Sequence, residues 1–469
     1  MTAFIIFLVF FLVFITLLGL WYYFVKKDDI SKDNKIYYLI LIVMWTSTML
    51  SMPYLTTYAS SLYSTTSYLT LAFIGSIVGY AIGSFILKTP IIIIITRYGL
   101  KKKIMAIIYF LFGVSSIILF SVSFLNNSTI SSIFLIFNAI LIGAVSGLIL
   151  VNINVFNDKD ENKFITRNTA IVLMIPFIGK IFASVPQVIL FSEIEGSFSE
   201  QSDTIYLFLV SGILSIFASI VDLAFIPDTY INPKGIEVKI NKQQVKSNIE
   251  KWENLKWFEK DDATKIAKRI GFITFLIFLV YYLNSGNLTI ILLNEYDING
   301  TYNIYQGSIE VLFALGGTIA TFSSYKLVKA KKANHAFYLA FGSMFLFLII
   351  NIFNVYTIQN VHLLYWNYIL VSFSFGSFFY LFILIINVIS LNKKRKFSIA
   401  LFVALPISFA AIIIDSFITI LLLSFPNTNF SELQKLFNVI SIAIISFSFI
   451  HQTYRWNNYK NIVISLQAV

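Results

Sequence analysis

Long apolar runs, separated by short polar stretches, dominate this chain. The first run covers 3–25 and ends at Lys26 and Lys27. Twelve more runs follow, at 36–60, 66–92, 104–124, 131–155, 168–191, 204–226, 270–294, 304–325, 336–356, 361–390, 398–424 and 434–452. A helix needs roughly 20 apolar residues to cross the hydrocarbon core of a bilayer, so each run predicts one membrane-spanning helix. The pattern therefore predicts an all-α polytopic membrane protein.

The composition points the same way and excludes several classes of protein. The 469 residues are 58% hydrophobic and only 12% charged, and the mean hydropathy is +0.82. A soluble domain carries about twice that charge, and one aqueous core cannot bury this much apolar surface. Soluble enzymes, nucleic-acid binders, fibrous proteins and disordered chains are therefore excluded. The chain has no cysteine and three scattered histidines, so we predict no metal site, no cofactor and no catalytic cluster.

Positive charge predicts the orientation in the membrane. All but three of the 34 Lys and Arg residues fall in alternate loops, in the central linker or in the flanks of the twelve-run set. Cytoplasmic loops collect Lys and Arg, so these segments are predicted to face the cytoplasm. The exceptions are Lys435, in an outer loop, and Lys88 and Lys180, inside predicted spans. We predict a multi-pass protein of the cell membrane, with the N-terminus outside and the C-terminus in the cytoplasm.

The twelve runs form two groups of six around a polar linker. The predicted units are an extra N-terminal helix with a short loop, a six-helix bundle, a cytoplasmic linker, a second six-helix bundle and a cytoplasmic tail, at 1–35, 36–226, 227–269, 270–453 and 454–469. No basic residue precedes the first run and no small-residue cleavage site follows it, so we expect helix 3–25 to be retained. The Lys-rich linker is predicted to form amphipathic helices on the membrane surface.

This layout, together with one loop motif, resembles the major facilitator superfamily of secondary transporters. In that family the loop after the second helix resembles G-x-x-x-D-R-x-G-R-K; here it reads Thr96-Arg97-Tyr98-Gly99-Leu100-Lys101-Lys102-Lys103. Arg97, Gly99 and the three lysines match this motif. Thr96 stands in place of its Asp, and Ile92 stands in place of its first Gly. The resemblance implies a 6+6 bundle and a conformational role for Arg97, Gly99, Lys101, Lys102 and Lys103. It also implies that the carboxylate of the usual latch between the halves is missing.

Two ionisable residues inside spans are predicted to meet. Lys180 lies ~20 Å from the cytoplasmic end of its helix, and Glu310 lies ~22 Å from the inside of a ~30 Å hydrocarbon core. Their helices, the fifth and eighth of the twelve, face each other across the two halves in the resembled family. Because charges within lipid are costly, we predict an ion pair between the halves or a grip on a zwitterionic cargo. The alternative is that Glu310 snorkels to the outer surface and Lys180 has a local partner.

Other residues are weaker candidates for the site. Asp415 is predicted near the outer mouth and, with Glu310, is a candidate for proton coupling. Lys88 and Asp222 lie toward cytoplasmic ends, where snorkelling is the favoured interpretation. In the resembled family the first, fourth, seventh and tenth helices line the cavity, and here aromatic, hydroxyl and amide groups on the first and seventh could contact a polar solute: Trp45, Thr48, Tyr282, Asn284 and Asn287.

We therefore predict a secondary active or facilitative transporter, and not an enzyme, that moves a small polar organic solute by alternating access. Its expected partners are that solute, possible coupled protons and membrane lipid, without nucleic acid, and the expected state is a monomer. A lipid-modifying membrane enzyme and a non-transporting receptor or scaffold are the alternatives. No predicted span contains Arg, so a bidentate clamp on a phosphate within the membrane is not expected.

The predicted orientation can be tested by cysteine labelling. Because the chain has no native cysteine, Ser197→Cys and Ser247→Cys can each be probed with an impermeant maleimide in intact cells. We expect only Ser197→Cys to react, because 193–203 is predicted outside and 227–269 inside. Labelling of Ser247→Cys but not of Ser197→Cys would contradict the orientation.

Overall fold

The fold is described from a computed structural model. It describes residues 15, 19, 32–55, 58–59, 62, 71–98, 100–125, 127–146, 148, 165–193, 205–225, 229–231, 237–239, 241–253, 262–296, 302–353, 361–391 and 430–465. The predicted helix 398–424 lies outside the described residues, as does the predicted helix 3–25 apart from Ile15 and Gly19.

Among the described residues, seven longer helices precede the linker: α1 Lys32–Ser51, α2 Leu71–Ile82, α3 Lys88–Tyr98, α4 Lys101–Ser123, α5 Ser128–Ser146, α6 Ile165–Glu193 and α7 Ile205–Phe225. A 3₁₀ turn, Met52–Tyr54, extends α1. A π-helical turn, Gly83–Leu87, joins α2 to α3, so the two helices together form the second predicted span.

In the second group the structure describes five helices: α9 Asp262–Tyr296, α10 Tyr302–Lys329, α11 Ala333–Phe353, α12 Val361–Leu391 and α13 Phe430–Ser465. Two of them run past the predicted boundaries. Helix α9 begins at Asp262, before the predicted start at 270, and α13 continues to Ser465, through most of the predicted tail.

The prediction of a helical membrane protein is confirmed. Within the described part of the chain, 9 helices are long and apolar enough to cross a membrane. Hydrocarbon offers no hydrogen-bond partners, and helices satisfy their backbone groups internally. Side-chain hydroxyls follow the same rule: Thr46 and Thr48 donate to the carbonyl oxygens of Ile42 and Met44, at 2.8 and 2.9 Å.

The linker differs from the prediction. Strands β1 Thr229–Ile231 and β2 Glu237–Lys239 pair in antiparallel register, with Tyr230 opposite Val238. Helix α8, Lys242–Glu253, follows and contacts α3. The linker therefore contains a small hairpin in addition to the predicted helix.

Helix contacts follow one scheme in each group. In the first group α4 contacts α5 and α7, α1 contacts α6 and α7, and α2 contacts α5; in the second, α11 contacts α12 and α13, α9 contacts α13, and α10 contacts α12. Helix α6 also contacts α10 and α12. In the most apolar stretches of α1 and α12, 78% and 72% of the residues are buried, whereas the share is 28% in α13. Helices α1 and α12 therefore lie in the core.

Small residues allow the helices to approach closely. Ser47 of α1 and Ser211 of α7 each donate to the other's carbonyl oxygen at 2.7 Å. Gly143 of α5 lies against the backbone of Tyr80, on α2 just before the π-helical turn, and a Cβ there would overlap the Tyr80 carbonyl oxygen. Small residues at contacts and hydrogen bonds between helices stabilise helix packing in lipid, where the hydrophobic effect does not act between helices.

Replacing Gly143 should separate these helices. We expect Gly143→Ala to destabilise the protein by about 2 kcal/mol, because backbone atoms must move to accept the methyl group. Gly342→Ala is the matched control, since a Cβ there meets nothing within 4 Å; it should be neutral or stabilising by up to about 1 kcal/mol. Melting temperatures in detergent measure both effects. Equal melting temperatures for the two variants would contradict the close packing at Gly143.

Candidate functional site

The candidate site lies where α6, from the first group, contacts α10 and α12, from the second. We call this contact surface the seam. Its middle is charged and aromatic, and one of its ends is polar and neutral.

An ion pair occupies the middle of the seam. The ammonium group of Lys180, on α6, contacts the Glu310 carboxylate, on α10. The exposed fractions of the two side chains are 16% and 15%, so both side chains are partly exposed. The proximity predicted from their depths is therefore confirmed, and snorkelling of Glu310 away from the seam is wrong for this structure. Their role in transport stays a prediction.

A series of aromatic rings begins beside this pair. The Lys180 ammonium lies 4.6 Å from the centroid of the Phe313 ring, a cation–π distance. Phe313 is 6.1 Å from Phe177 and 5.9 Å from Tyr281, centroid to centroid. Tyr281 is in turn 5.1 Å from Phe375. Rings from α6, α9, α10 and α12 thus form a continuous apolar wall beside the two charges.

Helical spacing explains why two of these rings stand beside the charges. Phe177 lies three residues before Lys180, and Phe313 lies three residues after Glu310. Residues three apart share one face of a helix. This spacing is readable in the sequence, but it marks a site only once the two faces are known to meet.

Gly317 brings α10 close to α6. A Cβ at this position would overlap the ring of Phe177. A larger residue would push that ring away from the seam, together with the helix face that carries Lys180. The glycine therefore helps to bring the two charges into contact.

Neutral hydrogen bonds join α6 and α12 at one end of the seam. The Asn387 side-chain amide donates to the Thr169 hydroxyl at 3.1 Å. The Tyr380 hydroxyl donates to the carbonyl oxygen of Thr166 at 3.4 Å. These contacts involve the start of α6 and the later half of α12, both next to segments predicted to face the cytoplasm.

The predicted candidates on α1 lie next to the seam helix α6. Trp45 is 5% exposed, and its Cβ packs against Gly179, the neighbour of Lys180. Thr48 is fully buried, and its hydroxyl donates a hydrogen bond to the Met44 carbonyl oxygen of the same helix. Trp45 therefore packs against the residue that precedes Lys180 in α6, whereas the Thr48 hydroxyl is hydrogen-bonded within α1.

Four other candidates have no described side chain. Tyr282, Asn284 and Asn287 belong to α9, which also carries Tyr281 of the aromatic wall, but only their helical backbone is described. Asp415 lies outside the described residues. Their contact with a solute stays a prediction.

The described side chains of the basic loop motif lie in different environments. Lys102 is 5% exposed, and its ammonium lies 5.4 Å from the ring centroid of Tyr37, on α1. The Arg97 guanidinium lies 5.9 Å from the Tyr98 ring, and Lys103 is exposed. Lys102 thus packs within the first group, against α1. Gly99 and the Lys101 side chain lie outside the described part of the loop.

The snorkelling interpretation is wrong for Lys88 and Asp222. Their exposed fractions are 3% and 2%, so both side chains are buried within the protein. Distance along a helix gives the depth of a residue, but not whether its side chain points to lipid or to the core.

Comparison with known families identifies the class. The family model of the Major Facilitator Superfamily matches residues 36–414. The match covers most of the chain, so the chain belongs to the Major Facilitator Superfamily. Members of this family are transporters and not enzymes. The predicted class is thereby confirmed, and the alternative of a lipid-modifying enzyme is excluded.

Solved structures of transporters share the fold at low sequence identity. The human organic anion transporter MFSD10 (TETRAN) aligns with a TM-score of 0.62 and 9% identity, over 90% of this chain and 100% of that one. The nucleoside transporter NupG aligns with a TM-score of 0.55 and 14% identity, over 89% and 98%. The xylose transporter XylE from E. coli aligns with a TM-score of 0.56 and 12% identity, over 88% and 96%. No curated protein matches the chain by sequence.

Removing one charge of the pair should destabilise the protein. A charge that loses its buried partner costs about 3–5 kcal/mol; because both side chains are partly exposed, we expect about 3 kcal/mol for Lys180→Ala and for Glu310→Ala. The exchanged pair, Lys180→Glu with Glu310→Lys, should recover part of this loss. Melting temperatures in detergent measure these differences.

Lys326→Ala is the matched control for this experiment. Lys326 lies on α10 as Glu310 does, is exposed, and has its ammonium 5.2 Å from the Phe322 ring centroid. An exposed site of this kind should change stability by no more than about 0.5 kcal/mol. If the exchanged pair is less stable than both single variants, the ion pair does not stabilise the seam.

Proposed function

We propose that this chain is a secondary transporter that carries a small polar organic solute across the cell membrane by alternating access. The observation that carries the proposal is the Lys180–Glu310 pair, which lies between two helix groups beside a wall of aromatic rings. A small site with a few charged groups among aromatic side chains suits the binding of an organic solute. Lys180, Glu310 and Trp45 are the described residues proposed to contact or orient it.

We propose that 36–226 and 270–453 act as two similar six-helix units joined by the linker. The repeated contacts support this division: α4 with α7 corresponds to α11 with α13, and α1 with α7 corresponds to α9 with α13. Two units of one design can rock against each other around a central site. The seam is then the surface that must change during transport.

The two parts of the seam differ in how much energy their opening requires. The contacts of Asn387 with Thr169 and of Tyr380 with Thr166 are neutral hydrogen bonds, each worth about 1 kcal/mol net. We propose that they close the cytoplasmic end of the seam and break when the site opens inward. They would take the place of the latch whose carboxylate is replaced by Thr96.

Flux measurements test the proposed function. Purified full-length protein in proteoliposomes should admit labelled solute from a panel of amino acids, sugars and nucleosides, whereas empty liposomes should not. Binding without flux would instead support a receptor or scaffold. Flux that stops when the proton gradient is dissipated indicates coupling to protons, with Glu310 and Asp415 as candidate carboxylates. Flux that is independent of the gradient indicates facilitated diffusion.

Weakening the cytoplasmic end of the seam should favour the inward-open state. We expect Asn387→Ala to destabilise the closed state relative to the inward-open state by about 1 kcal/mol. This changes the equilibrium constant between the two states about fivefold. Spin labels at Leu223→Cys and Lys329→Cys, both exposed at the ends of α7 and α10, report the opening. Double electron–electron resonance should show a larger population at long distance.

Asn138→Ala is the matched control for Asn387→Ala. Asn138 is a buried asparagine that donates to Ser116 at 2.8 Å, within the first group only. Its loss should lower stability without shifting the distance distribution. If both variants shift the distribution equally, or neither does, the Asn387 contact does not close the seam.

A further inference from the structure

The ion pair of the seam also constrains the charge of the cargo. Lys180 and Glu310 offer one positive and one negative group in contact, and together they are electrically neutral. A ligand that enters this site must replace at least part of their mutual contact. The charge that then lacks its opposite charge remains in a medium of low dielectric, where an uncompensated charge is costly.

Different ligand charges have different consequences for the pair. An anion would bind Lys180 and leave Glu310 uncompensated, and a cation would do the reverse. A zwitterion replaces both partners at once, because its carboxylate accepts hydrogen bonds from the Lys180 ammonium while its own ammonium donates to the Glu310 carboxylate. The total charge stays zero, and no group loses its partner.

The neighbouring aromatic rings narrow the chemical class of the ligand further. The Lys180 ammonium now lies over the Phe313 ring, 4.6 Å from its centroid, and a ligand ammonium bound at Glu310 could take the same ring face. Phe177 and Tyr281 lie 6.1 and 5.9 Å from Phe313, and offer apolar surface to the rest of the ligand. Ring faces attract cations, and their flanks pack against apolar groups.

We propose that the cargo is a zwitterion of amino-acid size with an apolar or aromatic side group, bound between Lys180 and Glu310. This inference rests on the proposed transport function and specifies its substrate class. A single Lys suits one carboxylate, whereas a phosphate would favour the bidentate geometry of Arg.

Four probes with the same ring separate charge from shape. They are L-phenylalanine, 2-phenylethylamine, 3-phenylpropionate and N-acetyl-L-phenylalaninamide, which are respectively a zwitterion, a cation, an anion and a neutral molecule. Full-length protein in proteoliposomes is assayed for uptake of labelled glycine, L-leucine and L-phenylalanine, with uridine and D-xylose as neutral solutes. We expect uptake of L-leucine and L-phenylalanine, and at least tenfold stronger competition by L-phenylalanine than by the other three probes.

Charge variants then test whether the pair itself is the site. Glu310→Gln leaves a net positive site and should shift the preference toward 3-phenylpropionate by tenfold or more. Lys180→Met leaves a net negative site and should shift it toward 2-phenylethylamine. The exchanged pair, Lys180→Glu with Glu310→Lys, retains both charges and should keep the preference for L-phenylalanine, so that the test survives a single variant that does not fold. Lys326→Met, on the exposed end of α10, should change no preference.

Each contrary outcome has a distinct meaning. Uptake of uridine or D-xylose without uptake of any amino acid overturns the zwitterion and leaves the transport function standing. No uptake of any solute overturns both. Amino-acid uptake with an unchanged charge preference in Glu310→Gln and Lys180→Met overturns the assignment of the site to this pair.

Discussion

Every polar group in a bundle solvated by hydrocarbon must find its partner within the protein, and this constraint determines how the helices meet. Ser47 and Ser211 satisfy each other across α1 and α7. The Asn367 amide donates to Asn351 across α12 and α11 at 2.9 Å. The Lys180–Glu310 pair obeys the same rule across the seam. It differs in one respect, because apolar residues of similar volume often replace a buried ion pair without loss of stability. Stability alone therefore does not explain these charges, and the ligand-binding role proposed above offers a reason for them.

The seam combines a strong contact with weaker ones. Separating Lys180 from Glu310 is costly unless another charge compensates each of them, whereas the hydrogen bonds of Tyr380 and Asn387 contribute about 1 kcal/mol each. Opening at the neutral end is therefore the easier motion. In the proposed mechanism the charged middle would keep the two groups of helices together until a ligand provides new partners. Binding and conformational change would then depend on the same two side chains, which is how a ligand shifts a two-state equilibrium.

Hydropathy predicted most of the described membrane helices, because lipid constrains the length of an apolar run, whereas the orientation predicted from charge stays a prediction. The Lys180–Glu310 contact was also predictable, since helical rise converts residue number into depth and the resemblance to the family implies that the fifth and eighth helices face each other. The aromatic wall was missed because Phe177, Tyr281, Phe313 and Phe375 belong to four helices, and only their packing brings the rings together. Gly317 was missed for the same reason, as its role depends on the Phe177 ring that covers it. The hairpin of Thr229–Ile231 with Glu237–Lys239 is too short to produce a periodic pattern.

The π-helical turn Gly83–Leu87 has a consequence for the residues that follow it. Such a turn accommodates one residue more than an α-helical turn, and each residue of an α-helix advances the direction of the side chains by about 100°. The side chains of α3 therefore point in different directions from those that an uninterrupted continuation of α2 would give them. Lys88 is the first residue after the turn and is buried, so a single-residue deletion within Gly83–Leu87 would rotate its ammonium, and the whole face of α3 that meets α8, to a different side of the helix. The length of this one turn thus sets which surface the second span offers to the linker.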